Sequence, residues 1–409
     1  MKTSQIIAVL TSFVLCIVMF SSCKRVEPVE NDTETSPETT VAEETIFDDS
    51  DLTEEEMLAN VSETRITIPP FMETRYFSLD FDRRMTNAYN DVVETISKYE
   101  KRSLIPITIP TSEYSKVLET VRCEQLAFFF LENRTLGDYN ATAQTFEINF
   151  EYKYSIKEIN TMLLKTRFAA QEILALTDDS MTDLEKVRIF HDYLTKNVQS
   201  STDTEYVDSI YGALVEHRAL CEGYAKAFSY LCNLSGIENM IVTGVTDIDH
   251  MWNMVKINGK WYHVDIGWDQ PVAALREQYP DMLLYQYFLA TDEIIENHCE
   301  INTSLGEPPH ATDDDLSYYV REGLYAKTYD EALDIIEREC RKCVDTGDEY
   351  FMLKTSSSNL YLTTISQLTE CPFDGISDID RIIRDAGYTG RISCSDYYKS
   401  YRIIIFLLD

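Results

Sequence analysis

Positive charge is scarce in this chain. Lysine and arginine total 36 against 70 aspartates and glutamates, a formal charge of −34 over 409 residues. Such a surface repels phosphate backbones, which excludes nucleic acid as a partner. Long apolar runs are also missing. Beyond the first 23 residues no stretch reaches the roughly 18–20 apolar residues of a membrane-crossing helix. Cysteine is too dispersed for a small stapled domain: of ten, Cys16 and Cys23 sit in the N-terminal segment. The other eight (Cys123, Cys221, Cys232, Cys299, Cys340, Cys343, Cys371, Cys394) follow no dense spacing. Cys340-Arg341-Lys342-Cys343 is a lone C-x-x-C with no second ligand pair, and no calcium loop is visible. It lies on the apolar stripe of a helical run, Tyr329 to Val344, and reads first as core packing, with a disulfide as the alternative. Nothing in the sequence calls for a metal or a cofactor.

What is present divides the chain by composition. Residues 1–23 have an early Lys2, an apolar stretch from Ile6 to Phe20 and the ending Phe20-Ser21-Ser22-Cys23. This resembles a bacterial lipoprotein signal, which implies lipidation at Cys23 and an anchor on the outer face of the cell membrane. Phe20 stands where Leu is usual, which leaves ordinary secretion open. Residues 24–65 follow as an acidic linker: Val26 to Thr64 holds fourteen Asp or Glu and no Lys or Arg. So few apolar residues cannot offset the entropy of ordering, and the linker is expected to be disordered. Residues 66–177 read as an α/β module, with helices at Met85–Tyr99 and Tyr154–Leu176 and strands at Leu126–Leu131 and Thr145–Tyr152. Pro308-Pro309 and Asp313-Asp314-Asp315 mark a boundary before an α+β module at 308–409. That module reads as helices at Tyr329–Val344 and Ile376–Asp385, with strands at Tyr350–Lys354, Leu360–Leu362 and Tyr401–Leu408.

Between these modules, residues 178–307 carry the chemistry. Thr182 and Glu185 form a capping-box pattern before a helix that holds His191, which reads as a packed or surface histidine. Cys221 precedes a helix, Glu222 to Ser235, ended by Gly236. A cysteine at a helix N-terminus faces the positive end of the dipole, which favours thiolate over the ordinary pKa of about 8.5. Cys232, on the buried stripe of that helix, is expected to be inert. Asn258-Gly259 is a two-residue hairpin turn, since both positions tolerate positive φ. It pairs Ile257 with Lys260, Met254 with His263, Trp252 with Asp265 and His250 with Gly267. His250 and Asp265 then share a face as diagonal neighbours, roughly 7–8 Å apart at the backbone. A register slip of one residue would separate them. Thiol, imidazole and carboxylate are the parts of nucleophilic acyl transfer through a thioester. Tyr211 is a candidate oxyanion donor with the Cys221 N–H, and Trp252 a candidate wall of the substrate groove. His263 is a weaker substitute for the base, and Asp269, beside Pro271, reads as a turn residue.

Tyr211-Gly212-Ala213-Leu214, Cys221-Glu222-Gly223-Tyr224-Ala225, His250-x-Trp252-Asn253 and Gly259-Lys260-Trp261-Tyr262-His263-Val264-Asp265 agree in order and spacing with the bacterial transglutaminase-like superfamily. Trp268-Asp269, Tyr287-Phe288-Leu289 and the helix Ile189 to Leu194 continue the resemblance, which is firm over about 130 residues. It departs at Met251, where Ala is frequent, and at Gly267, where Thr is frequent. The resemblance implies a papain-like α+β core, a Cys-bearing helix packed on an antiparallel sheet, flanked here by two smaller α/β modules. It implies Cys221 as nucleophile, His250 as acid/base and Asp265 as orienting carboxylate, with a peptide or protein as substrate. The expected activity is a cysteine peptidase or amidase on surface or cell-wall peptides. Protein crosslinking and a non-catalytic scaffold are the alternatives.

Overall fold

The computed structural model describes residues 52–408, apart from 107, 143, 370–376, 391 and 396–397. The segment 1–23 with Cys23, the acidic stretch as far as residue 51, Cys371 and the start of the helix expected at Ile376 lie outside the described residues. The C-terminal end of the acidic linker is folded, contrary to the expectation for it. Helix α1 (Glu54–Ala59) opens with a reciprocal Thr53–Glu56 capping box. Its exit is tied down by Asn160, whose amide donates to the Ser62 and Arg65 carbonyls and accepts from Thr67 N–H. One buried amide thus supplies the order that the segment's own composition could not.

The next elements are α2 (Arg83–Ser97), β1 (Arg102–Pro106), α3 (Thr111–Glu124), β2 (Leu131–Asn140), β3 (Thr145–Tyr152) and α4 (Ile156–Leu174). The strands form an antiparallel sheet of order β1-β3-β2. The strand expected at Leu126–Leu131 is instead a turn and a 3-10 segment, Phe128–Phe130, with extended structure starting only at Leu131. Leu126, Ala127 and Phe130 are fully buried. The aromatic content there reported depth in the core, not extension.

The central region runs α5 (Asp183–Asn197), β4 (Gln199–Ser200), α6 (Ile210–Leu214), β5 (Arg218–Ala219), α7 (Cys221–Leu234), β6 (Asn239–Val245), β7 (Asp249–Ile257), β8 (Lys260–Val264), α8 (Ala273–Gln278), β9 (Phe288–Ala290), α9 (Asp292–Glu296) and β10 (Glu300–Ile301). Five of these strands make an antiparallel sheet of order β10-β6-β7-β8-β9, while β4 and β5 pair in parallel. The Thr182–Glu185 capping box forms as expected. Asn258 and Gly259 take φ of 53° and 79°, the conformation of a tight hairpin turn. Asn253 on β7 donates to the Ala225 carbonyl and to Ser229 Oγ, which clamps the sheet onto α7.

The C-terminal region comprises α10 (Tyr318–Arg321), β11 (Tyr325–Ala326), α11 (Tyr329–Thr346), β12 (Tyr350–Thr355), α12 (Ser358–Thr369), α13 (Asp378–Asp385), β13 (Ile392–Ser395) and β14 (Ile403–Leu408). Its sheet has order β11-β12-β14-β13. The strand expected at Leu360–Leu362 is part of α12. Leu360, Tyr361 and Thr364 are buried and Leu362 is exposed, which is helical rather than alternating burial. Cys340 and Cys343 are buried free thiols on α11, so the C-x-x-C is core packing. Thr53–Asp409 forms one compact unit. Among the described residues no helix is long and apolar enough to cross a membrane.

Candidate active site

Cys221 is the first residue of α7, after Leu220 in extended conformation, and it is half-buried. Gly223 lets the first turn approach the neighbouring loop: a Cβ there would meet the Val207 carbonyl oxygen at 2.4 Å. Next to Cys221 in the chain, half-buried Glu222 lies between Lys226 at 2.6 Å and Arg122 of α3 at 2.7 Å. Burial pushes the Glu222 carboxyl up, but the two cations outweigh it and hold its pKa below the ordinary value.

The hairpin delivers the other two groups. Ile257 pairs with Lys260, Met254 with His263 and Asn253 with Val264, the register read from the turn. The ladder ends at Val264, so Asp265 leaves the sheet, its N–H donating to the Tyr287 carbonyl. From there its carboxylate Oδ2 meets His250 Nε2 at 2.6 Å, and Oδ1 accepts from Trp268 N–H at 3.3 Å. The Cys221 thiol lies close enough to the same imidazole to favour its charged form. Burial pulls the His250 pKa down. The Asp265 charge and hydrogen bond, joined by Cys221, overcome it and raise it from 6.5 to about 10. The structure therefore brings His250 and Asp265 into a hydrogen-bonded pair with Cys221 beside it.

The two accessory candidates stand elsewhere. Trp252 is only 1% exposed, so it cannot wall an open groove. Its ring stacks on His250, centroids 5.6 Å apart and planes 18° from parallel. Its Nε1–H donates to His263 Nδ1 at 3.0 Å, and His263 Nε2 bonds Asp292 at 2.9 Å. An indole can only donate, so His263 Nδ1 accepts and Nε2 carries the proton. Both nitrogens of that buried ring are committed, and His263 is a support rather than a substitute base. Tyr211 packs edge-on against Tyr206. It joins none of the bonds among Cys221, His250 and Asp265.

Asp269 is more than a turn residue. It is fully buried, accepts from Tyr287 N–H at 2.8 Å and meets His191 Nε2 at 3.1 Å. His191, fully buried as well, has Asp192 on its other nitrogen at 3.0 Å. Burial opposes its charge, but the two carboxylates raise its pKa from 6.5 to about 9. This pair ties α5 to the segment that follows Asp265.

The outer rim consists of residues that hairpin parity could not find. Trp268 lies edge-on to His250 at 5.9 Å and against His298 at 3.6 Å, and His298 lies 6.4 Å from His250. His298 Nε2 is buried without a hydrogen-bond partner among the described residues. Burial and His250 lower its pKa, against the pull of Asp265. Its sequence signal was weak: a lone histidine following a short acidic helix.

Residues 169–266 match the family model of the transglutaminase-like superfamily, a span that holds all three linked residues. The human kyphoscoliosis peptidase is 25% identical over 158 residues, covering 33% of this chain and 24% of that protein. The mouse kyphoscoliosis peptidase is 22% identical over the same length and coverage. The chain thus spans about a quarter of the curated relatives it matches. Among solved structures, a TGase aligns at 11% identity over 44% of this chain and 55% of that one, with a TM-score of 0.24. A candidate cysteine protease from Cytophaga hutchinsonii aligns at 13% identity over 41% and 64%, with a TM-score of 0.23. The chain carries, over residues 169–266 and within a mixed helix-and-sheet fold, a domain of the transglutaminase-like superfamily.

Proposed function

We propose that the chain is a cysteine hydrolase that cleaves amide bonds of peptides through a thioester on Cys221. The observation that carries the reading is the 2.6 Å His250–Asp265 bond on an imidazole that has the Cys221 thiol beside it. In the resting pair His250 already holds, as an imidazolium, the proton given up by the Cys221 thiol, and the thiolate sulfur attacks the carbonyl carbon. The resulting oxyanion lies near the unpaired N–H groups of the first turn of α7. As the tetrahedral species collapses, the C–N bond breaks and His250 gives its proton to the leaving amine. Water, deprotonated by the same imidazole, then attacks the thioester and releases a carboxylic acid and the thiol. Asp265 holds the ring and supports its positive charge throughout. The name of the kyphoscoliosis peptidases supports peptide hydrolysis over crosslinking. The N-terminal segment supports export and a lipid anchor at Cys23, which would place the site outside the membrane facing surface or wall peptides.

The test is amide hydrolysis of a peptide library, with product masses read in the presence and absence of a primary amine. Cys221→Ala is expected to abolish cleavage, and Asp265→Asn to slow it by about a hundred- to ten-thousand-fold. Free acid as the product in the presence of the amine supports hydrolysis, whereas amine incorporation would make the protein a transamidase. Cleavage that survives Cys221→Ala would overturn the reading.

A further inference from the structure

A cavity of about 1050 Å³ lies between the central sheet and the C-terminal region, bordered by Tyr287 and His298 from the active-site rim. Its opposite side is formed by Lys354 of β12, Tyr401 and Arg402. Lys354 is only 4% exposed, yet its ammonium makes one side-chain hydrogen bond, to Gln286 Oε1 at 2.8 Å. Its further contact is with the face of the Tyr319 ring, 5.6 Å from the centroid. Arg402 is half-buried and donates to the Ser356 carbonyl. Among the described residues neither cation has a carboxylate partner, in a chain with 70 acidic residues and only 36 basic ones.

That pairing is costly unless something answers it. A buried ammonium with one hydrogen bond among the described residues loses hydration that a single neutral amide does not restore. A second cation beside it adds repulsion. Burial first, then Arg402, draw the Lys354 pKa from 10.5 down to about 8 against the pull of Asp269. Asp269 itself is occupied by His191 and the Tyr287 N–H. The other acids bordering the cavity do not answer the charge. Asp292 is held by His263, His310 and the Ala311 N–H, and Glu293 and Asp314 are exposed at its edge. The cavity therefore has a buried cationic floor and an acidic, solvated rim. It also meets His298 and the edge-to-face rings of Tyr287 and Tyr401, 5.6 Å apart.

We propose that this cavity is a carboxylate subsite, with Lys354 and Arg402 receiving an acidic group of the peptide whose amide is presented to Cys221. The proposal rests on the hydrolase reading for the identity of the ligand as a peptide. Tyr287 links the two places: its carbonyl accepts from Asp265 N–H, and its ring faces Trp268. A carboxylate of either origin fits the floor, a side chain or a chain terminus, and the test separates them.

Binding is measured by calorimetry on the full chain carrying Cys221→Ala, so that turnover plays no part. The probes are acetyl-Ala-Glu-Ala-amide, its Gln counterpart, and acetyl-Ala-Ala-Ala with a free or amidated terminus. The expected result is a preference of about tenfold or more for one charged member over its neutral partner. Which pair shows it identifies the source of the carboxylate. Adding Lys354→Met should erase that preference and leave neutral peptides bound as before. Replacing a poorly paired buried charge by an apolar side chain does not by itself unfold a protein, and Arg402→Gln provides a second, milder variant. Equal binding of charged and neutral probes, or a preference that survives both variants, overturns the proposal. Loss of hydrolysis in the assay above with the preference intact would instead overturn the hydrolase reading and leave the subsite standing.

Discussion

At the residue scale the account turns on one imidazole. His250 has Asp265 on Nε2 and the Cys221 thiol close by, and its folded pKa lies above the ordinary 6.5. A raised pKa in the folded state means that the protonated ring favours folding. The contribution is complete below about pH 6.5 and is lost as pH rises through about 10. His191, raised to about 9, acts in the same direction. Imidazole resonances followed by NMR should show His250 protonated well into the alkaline range, with a lower midpoint in Asp265→Asn. A wild-type midpoint near 6.5 would contradict the assigned bond. The Asn258-Gly259 turn made the register legible as far as Val264. The pairs expected beyond it, Trp252 with Asp265 and His250 with Gly267, do not form, and Asp265 reaches His250 after leaving the sheet. Trp252 and Tyr211 were misplaced for a physical reason. Parity tells the face on which a side chain lies but not how deep it sits, and Trp252 is under His250 rather than beside the substrate.

At the scale of elements, helices with caps were readable and irregular buried segments were not. The capping box at Thr182 opens α5 as its Thr–x–x–Glu pattern predicts, and α11 covers the helical run read from its apolar stripe. Leu126–Leu131 and Leu360–Leu362 misled because short apolar runs have no period long enough to separate strand from helix. The link between α5 and the loop after β8 was invisible from either element alone. His191 and Asp269 are 78 positions apart and fully buried against each other. His191→Leu should strand the Asp269 carboxylate in the core and destabilise the protein by about 3–5 kcal/mol. Chemical denaturation of the two proteins measures it. A change of only a few tenths of a kcal/mol would show that the pair does not secure the helix.

At the scale of the molecule, compositional boundaries do not coincide with the structural unit. Pro308-Pro309 and the Asp313–Asp315 run look like a linker in the sequence, yet Lys260 pairs with Asp313 and Asp315, and Tyr262 donates to Asp315. The proposed catalytic hairpin is thus clamped by the segment that composition would assign to a boundary. Tyr319 is fully buried and bonds the Leu284 carbonyl, and Tyr398 accepts the Val272 N–H at its hydroxyl. Removing residues 308–409 would expose this face, and the shortened chain is expected to lose cooperative unfolding or to aggregate. A well-behaved monomer with a sharp transition, seen by circular dichroism and size exclusion, would show the C-terminal region to be an independent domain. Long-range pairs of this kind are beyond sequence periodicity, because each partner alone is an ordinary polar residue.

The most direct test of the central claim is intact-protein mass spectrometry after acid quench of the chain mixed with an activated acyl ester. One acyl group on Cys221, absent from Cys221→Ala and strongly diminished in His250→Ala, is the predicted result. An unmodified wild-type protein, or an adduct that persists without the Cys221 thiol, would contradict it.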